Sequence, residues 1–246
     1  MSEPTTKKQV VTREEWLTAR KALLEKEKAF TRQRDAISAA RREMPLVKVD
    51  KPYVFEGVTG KRTLGDLFDG KDQLIVYHFM FGPTWDAGCK SCSLVAETFD
   101  RTVEHLAANN TSFVAVSRAP IEKLVAYRTR MGWTFPWVSS SSTDFNFDFN
   151  VSFRQEDVDA KNVEYNYRKM AFPLTEAPGF STFLRDGADV LHAYSTFGRG
   201  VDALMNVYHL LDITPLGRQE KKGEGMSWTR RRDEYVSAAN DEARSA

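Results

Sequence analysis

The chain has 246 residues, 41% of them apolar and 28% charged, with a formal net charge of +1. That length allows one large domain or a domain with appendages, and the composition supplies a core. The balanced charge leaves no footprint for nucleic acid or an acidic membrane, and two cysteines in so long a chain exclude a secreted disulfide scaffold.

Residues 1–10 read as a loose terminus without the apolar stretch of a secretory signal. No apolar run nears the roughly 18 residues that span a membrane. The expected location is cytoplasmic, with neither membrane nor nucleic acid as partner. Thr12 and Glu15 then form a capping box, with Val11 and Trp16 placed as a hydrophobic staple, so a helix starts there and stops before Pro45. Along it Trp16, Leu23, Phe30, Ile37 and Met44 recur every seven residues, with Leu17 and Leu24 beside the first two. The second apolar position of a coiled coil is missing. This narrow stripe is expected to pack on its own domain or on a partner subunit, the latter giving a homodimer through the helix.

Leu46 to Leu64 reads as short strands around turns, and Leu64 to Gly70 as a helical turn closed by glycine. Leu74 to Phe81 is nearly all apolar and fits a central strand buried on both faces. Gly82-Pro83 ends it, a short loop follows, and Cys89-Lys90-Ser91-Cys92 opens a helix. A strand feeding Cys-x-x-Cys at a helix start reads as a thioredoxin-like redox motif. The reactive species is the thiolate, which free N–H groups at a helix start stabilise. Cys89 is the expected attacking thiol and Cys92, one turn on, the resolving thiol; Lys90 adds a neighbouring cation. The blander readings are an inert buried pair or half of a zinc site. Zinc asks for about four ligands, and the chain offers no further cysteine and only four histidines. No cofactor or resident metal is expected.

His78 is the odd member of its strand. Alternation places it on one face with Leu74, Val76 and Met80. A lone histidine there is ordinarily a hydrogen-bonded core residue; the sharper reading makes it the proton acceptor for Cys92.

After the dithiol, Val95, Phe99, Thr102 and Leu106 follow helical spacing. Thr111–Ser117 is a strand, Pro120 opens a helix to Met131-Gly132, and Phe135–Ser139 is a further strand. The order β-α-β-α-β implies parallel strands with helices on the faces. Residues 140–172 interleave Phe145, Phe147, Phe149 and Phe153 with Asn and Asp, then reach Tyr165 and Tyr167. Such aromatics line a cleft or, more ordinarily, anchor a loop on the core. Gly179–Leu184 and Val190–Tyr194 make a hairpin around Asp186-Gly187. Gly198-Arg-Gly200 leads into a last helix with Val201, Leu204, Met205, Tyr208 and Leu211 on its apolar face. From Arg218 the chain is polar; Trp228 to Tyr235 is a segment able to dock, whose three arginines read as a solvated run. No internal repeat, Walker loop, GxGxxG, GxSxG or HExxH is present. The organisation expected is a helical arm over 1–45, an α/β domain over 46–216 and a polar tail over 217–246.

These pieces carry a resemblance. The middle of the chain is similar to the alkyl hydroperoxide reductase and peroxiredoxin branch of thioredoxin-like proteins, through LGDLF (64–68), FGP (81–83), GWTFPWVS (132–139) and GRGVD (198–202). From about Thr12 to Arg218 it resembles an uncharacterised bacterial thioredoxin-like family described as predicted dithiol-disulfide oxidoreductases. The carrying stretches are YHFMFGPTWDAGCKSC, FVAVSRAPIEKL, MGWTFPWVSS, STFGRGVD and TPLGRQE. The resemblance implies a thioredoxin-like, peroxiredoxin-type fold: a central mixed sheet flanked by helices, with a long N-terminal helix. It puts Cys89 at the attacking cysteine and Cys92 at the resolving one, and His78 near the buried carboxylate that thioredoxins keep under the dithiol. Ser181 stands in place of the thioredoxin cis-proline. Asp86 and Phe180 stand where peroxiredoxins carry Thr or Ser and Arg; Asp86 would repel a peroxide anion. With Trp85, the residues Asp86, Phe180 and Ser181 are the expected substrate-binding set. The activity implied is a thiol–disulfide oxidoreductase acting on a disulfide-bearing protein or small molecule and recycled by a separate reductant. The alternatives are a thiol peroxidase, in which Cys92 captures a sulfenic acid on Cys89, and a Cu(I)-binding module using Cys89, Cys92 and His78.

Overall fold

The computed structural model describes residues 8–221, 223 and 225–235. Their contacts divide into two units, one ending at Pro45 and one starting at Leu46. The first is a single helix, α1 (Arg13–Arg42). The Thr12 hydroxyl accepts from the Glu15 N–H at 3.3 Å, and the Glu15 carboxylate accepts from the Thr12 N–H at 2.9 Å. This box meets two donors that a helix start otherwise leaves unpaired. Glu14 and Glu15 in the first turn and Arg41 and Arg42 in the last complement the helix dipole. None of the helix residues is buried, and Phe30 on the sevenfold stripe is 66% exposed.

In the second unit β1 (Val47–Lys48), β2 (Val54–Gly57), β3 (Gly60–Thr63) and a 3-10 turn (Gly65–Phe68) lead into β4 (Gln73–His78). Then come α2 (Lys90–Ala96), α3 (Val103–Ala108), β5 (Thr111–Ser117), α4 (Ile121–Met131) and β6 (Trp137–Ser139). Short helices α5 (Phe145–Asp148) and α6 (Gln155–Asp159) precede a small hairpin of β7 (Val163–Tyr165) and β8 (Arg168–Met170). A long hairpin of β9 (Gly179–Asp186) and β10 (Asp189–Phe197), a 3-10 stretch (Gly198–Leu204) and α7 (Asn206–Asp212) follow.

The main sheet runs β1-β10-β9-β4-β5-β6-β2-β3. Strand β4 is parallel to β5 and antiparallel to β9, and β5 is parallel to β6. The inner order β5-β4-β9-β10, with the cysteine helix leaving β4, is the thioredoxin-like arrangement expected from the sequence. Side chains alternate across β4. Ile75 and Tyr77 join the core under α2, α4 and α7, with Cys92, Val95, Leu124, Tyr127 and Phe180. Leu74 and Val76 join the core on the other face, with Phe55, Phe68, Phe145 and Phe183. Two buried layers explain why β4 lacks polar alternation.

Three elements differ from their expected extents. Regular pairing of β4 stops at His78 rather than Phe81, because the Met80 carbonyl turns to accept from the Cys89 N–H at 3.0 Å. The expected helix through Val95 and Leu106 is two helices. Arg101 takes a left-handed backbone (φ 69°), and the Asp100 carboxylate accepts from the Thr134 N–H and hydroxyl, both at 2.8 Å. The last helix is interrupted at Met205, whose backbone is extended while its side chain stays buried beside Val201 and Tyr208. Among the described residues no helix is long and apolar enough to cross a membrane.

Candidate active site

Strand β4 delivers the chain to a loop that its neighbours hold at many points. The Phe79 N–H donates to Val116 O at 3.0 Å, and the Ala119 N–H donates to Phe81 O at 2.8 Å. Trp85 N–H turns back to Gly82 O at 3.2 Å. Its indole lies over Gly82, where a Cβ would come within 2.9 Å of Nε1. The Lys123 ammonium, from the first turn of α4, donates to the carbonyls of Pro83 (3.1 Å) and Trp85 (2.9 Å). Gly88 is buried between two rings: a Cβ there would sit 2.6 Å from Phe79 and 3.0 Å from Tyr127. Only glycine lets the backbone pass so close.

Cys89 is the N-cap residue of α2, half-buried, and Cys92 is fully buried one turn later; both are free thiols. Their acidities are driven apart. Cys89 is lowered to about 6, chiefly by the hydrogen bond from the Cys92 thiol. Burial opposes this, while the Cys92 and Ser91 N–H groups and the Arg231 charge reinforce it. Cys92 is pushed well above the usual thiol range by burial first, then by its bond to Cys89 and that thiol's charge. An acidified half-buried thiol above a buried one of raised pKa suits attack by the first and resolution by the second.

Around the thiols stand residues from distant parts of the chain. The Tyr77 hydroxyl donates to Cys92 O at 3.1 Å, and its ring stacks on Phe180 with centroids 4.5 Å apart. The Tyr165 hydroxyl donates to Pro178 O at 2.7 Å and accepts from the Gly198 N–H at 2.8 Å. Burial, with the Cys92 charge adding, pushes that phenol to about 12. From the C-terminal segment, Arg231 donates to Gly88 O and to the Tyr127 hydroxyl.

The residues expected from sequence are distributed as follows. Cys89, Cys92 and Trp85 lie together, and Asp86 is exposed on the same loop. Phe180 is buried beneath α2, stacked on Tyr77, and offers no surface to a substrate. Ser181 and His78 are buried on the opposite face of the sheet. His78 Nε2 bonds Ser181 Oγ at 2.8 Å, and its ring stacks on Phe145 and Phe149. Adjacent strand residues point to opposite faces, so Tyr77, not His78, reaches Cys92. Proton acceptance from Cys92 and a copper set of Cys89, Cys92 and His78 both lack the geometry they need. The Ser181 hydroxyl continues to Ser195 Oγ and on to His192 Nε2, each step 2.8 Å. Burial lowers His78 to about 3, with His192 adding, and His78 Nδ1 is unpaired. The outer end of this chain lines a cavity of about 290 Å³ with Tyr53, Phe149 and Tyr167. Among the described residues no group of three or more His, Cys, Asp or Glu is arranged to hold a metal ion.

Tyr77, Lys123, Tyr127 and Arg231 were not expected from the sequence, and Tyr165 was expected only as one of the aromatics of residues 140–172. For Tyr77 the signal was present: it shares the strand face that points to the helix after the loop. Arg231 gave only the Trp228-led segment, whose indole packs against the core under α2 and α4.

A family model described as "bacterial protein of unknown function (DUF899)" matches residues 5–235. No curated protein matches the chain. Among solved structures, peroxiredoxin Q from Xanthomonas campestris is similar at 13% identity, over 67% of this chain and 95% of that one, with a TM-score of 0.46. Peroxidoxin BcpB from Mycobacterium tuberculosis is similar at 15% identity over 68% and 96%, with a TM-score of 0.42. A hypothetical protein of Sinorhizobium meliloti gives 16% identity over 67% and 86%, with a TM-score of 0.39.

Proposed function

The chain belongs to that bacterial family of unknown function, and we propose that it is a thiol–disulfide oxidoreductase in which Cys89 attacks and Cys92 resolves. One observation carries the reading: two free thiols one turn apart at the start of α2, Cys89 half-buried at its N-cap and Cys92 buried within it. The Cys89 thiolate attacks one sulfur of a substrate disulfide, forming a mixed disulfide and expelling the other sulfur as a thiolate. Cys92 loses its proton and attacks Cys89 Sγ, so the intramolecular disulfide forms as the mixed one breaks. The substrate leaves with two thiols, having taken two electrons from the protein. A separate dithiol reductant returns Cys89 and Cys92 to the free state. Tyr77 holds the Cys92 carbonyl inside the core, while Trp85 and the exposed Asp86 precede Cys89 on the same loop.

The test is insulin reduction with dithiothreitol as the recycling agent. Cys89→Ser is expected to fall to the rate without protein, and Cys92→Ser to accumulate a mixed disulfide seen as added mass on Cys89. Reduction by Cys89→Ser at the unmodified rate would overturn the assignment.

A further inference from the structure

The C-terminal segment reaches the candidate site with one side chain, Arg231. Its Nη2 donates to Gly88 O at 2.8 Å and its Nε to the same oxygen at 3.2 Å and to the Tyr127 hydroxyl at 3.0 Å. That phenol lies 2.9 Å from Ser93 Oγ, which in turn donates to Cys89 O at 2.9 Å. The donors run in one direction, from guanidinium to phenol to serine to the Cys89 carbonyl. Arg231 thereby grips the backbone on both sides of Cys89: directly at the preceding carbonyl, and through two hydroxyls at its own. We propose that Arg231 is a positioning residue for the dithiol, fixing the peptide before Cys89 and seating a permanent positive charge on the carbonyl that precedes it. The proposal rests on the dithiol reading above and adds what makes Cys89 the reactive member.

The placement is built, not incidental. Glu234 accepts from the Arg231 guanidinium at 2.8 Å and from its backbone N–H at 2.9 Å. Arg130 pairs with Asp233 at 2.6 Å, Arg232 pairs with Glu97 at 3.1 Å and also donates to Met131 O, and Met226 and Trp228 pack on the core. The Arg231 side chain is 23% exposed, so its charge is screened less than that of a surface residue. The other cations near the loop do not substitute for it. Lys123 is spent on the carbonyls of Pro83 and Trp85, and Lys90 is exposed. The anion against the guanidinium is Glu234, already paired with it, and Asp86 on the cysteine loop is exposed. Arginine suits the role because its planar fork serves a carbonyl and a phenol at once and stays charged at every working pH. The acidity of Cys89 agrees, the Arg231 charge lowering it.

The test uses the full chain, with iodoacetamide alkylation of Cys89 followed by mass against pH. Below the midpoint the rate follows the thiolate fraction, so half a unit of rise in the midpoint lowers it about threefold. Arg231→Gln is expected to raise the midpoint by at least about that half unit. Arg231→Lys, which keeps a cation, restores most of the shift, and Arg232→Gln, which loosens a neighbouring anchor only, leaves the midpoint in place. A native midpoint in folded Arg231→Gln would overturn the proposal, as would an equal rise in Arg232→Gln, since the segment would then act as packing alone. Should Arg231→Gln fail to fold, Glu234→Gln decides: altering the carboxylate that holds the guanidinium must move the midpoint, and an unchanged one overturns the proposal. No substrate disulfide enters this measurement, so a protein inactive on insulin would sink the proposed activity and leave the Arg231 result standing.

Discussion

Tyr77 and His78 are neighbours on one strand and belong to two different environments. Tyr77 faces α2, stacks on Phe180 and holds the Cys92 carbonyl. His78 faces away, in a row of imidazoles and serine hydroxyls that ends at Ser195 and His192 beside a cavity. On the first face, burial and hydrogen bonding divide the charge between two sulfurs. On the second, burial keeps two imidazoles neutral. The same low-dielectric core raises Cys92 and lowers His78, because it disfavours whichever form is charged. The lesson is that one residue of register decides whether a titratable group serves the dithiol or the fold.

The largest expected effect tests the far face. His78 is held near 3 in the folded chain against 6.5 for an ordinary histidine. Between those values the unfolded chain binds a proton that the native one does not, so stability is lost as pH falls through that window. For one such group the slope is about 1.4 kcal/mol per pH unit. Denaturant titrations from pH 7 to 4 should show it, and His78→Asn should flatten it while leaving the Cys89 alkylation midpoint where it is. A midpoint that moves in His78→Asn would join the two faces and break the comparison.

A smaller effect tests the dithiol face. Gly88→Ala puts a methyl into the Phe79 and Tyr127 rings, an overpacking that costs about 1–3 kcal/mol. A fall in Tm of about 2–4 °C per kcal/mol is expected, together with changed alkylation of Cys89. The acid slope set by His78 should be untouched. Native melting and native alkylation in Gly88→Ala would mean that the loop is not held as described.

Much of this architecture was legible before any coordinates. The Thr12–Glu15 box, the apolar run at Leu74 and the hairpin around Asp186-Gly187 are local signals, and each specified its element. The dithiol at a helix start was equally plain, since strand, loop and Cys-x-x-Cys are contiguous. What escaped depends on contacts between distant residues. Nothing near Asp100 says that its carboxylate will cap Thr134 and break the helix there. Nothing near Tyr165 says that its hydroxyl will tie Pro178 to Gly198. The arginines at 230–232 look like a solvated run by composition, yet the adjacent Arg231 and Arg232 are anchored by Gly88, Glu97 and Met131. His78 misled for a different reason. Its face was read correctly with Leu74 and Val76, whereas Met80, past the end of β4, packs in the core with Cys92; the thiols were assumed to lie over His78, and only the packing of α2 on Tyr77 shows which face they take.

The most direct test of the central claim is the reduction potential of the Cys89–Cys92 pair, obtained by equilibrating the protein against glutathione buffers and trapping free thiols for mass analysis. Both thiols are expected to disappear together, as one intramolecular disulfide, at a potential within the roughly −120 to −270 mV of known oxidoreductases. Two thiols that stay alkylatable in fully oxidised glutathione, or a Cys89 that takes on glutathione and is never resolved by Cys92, would contradict it.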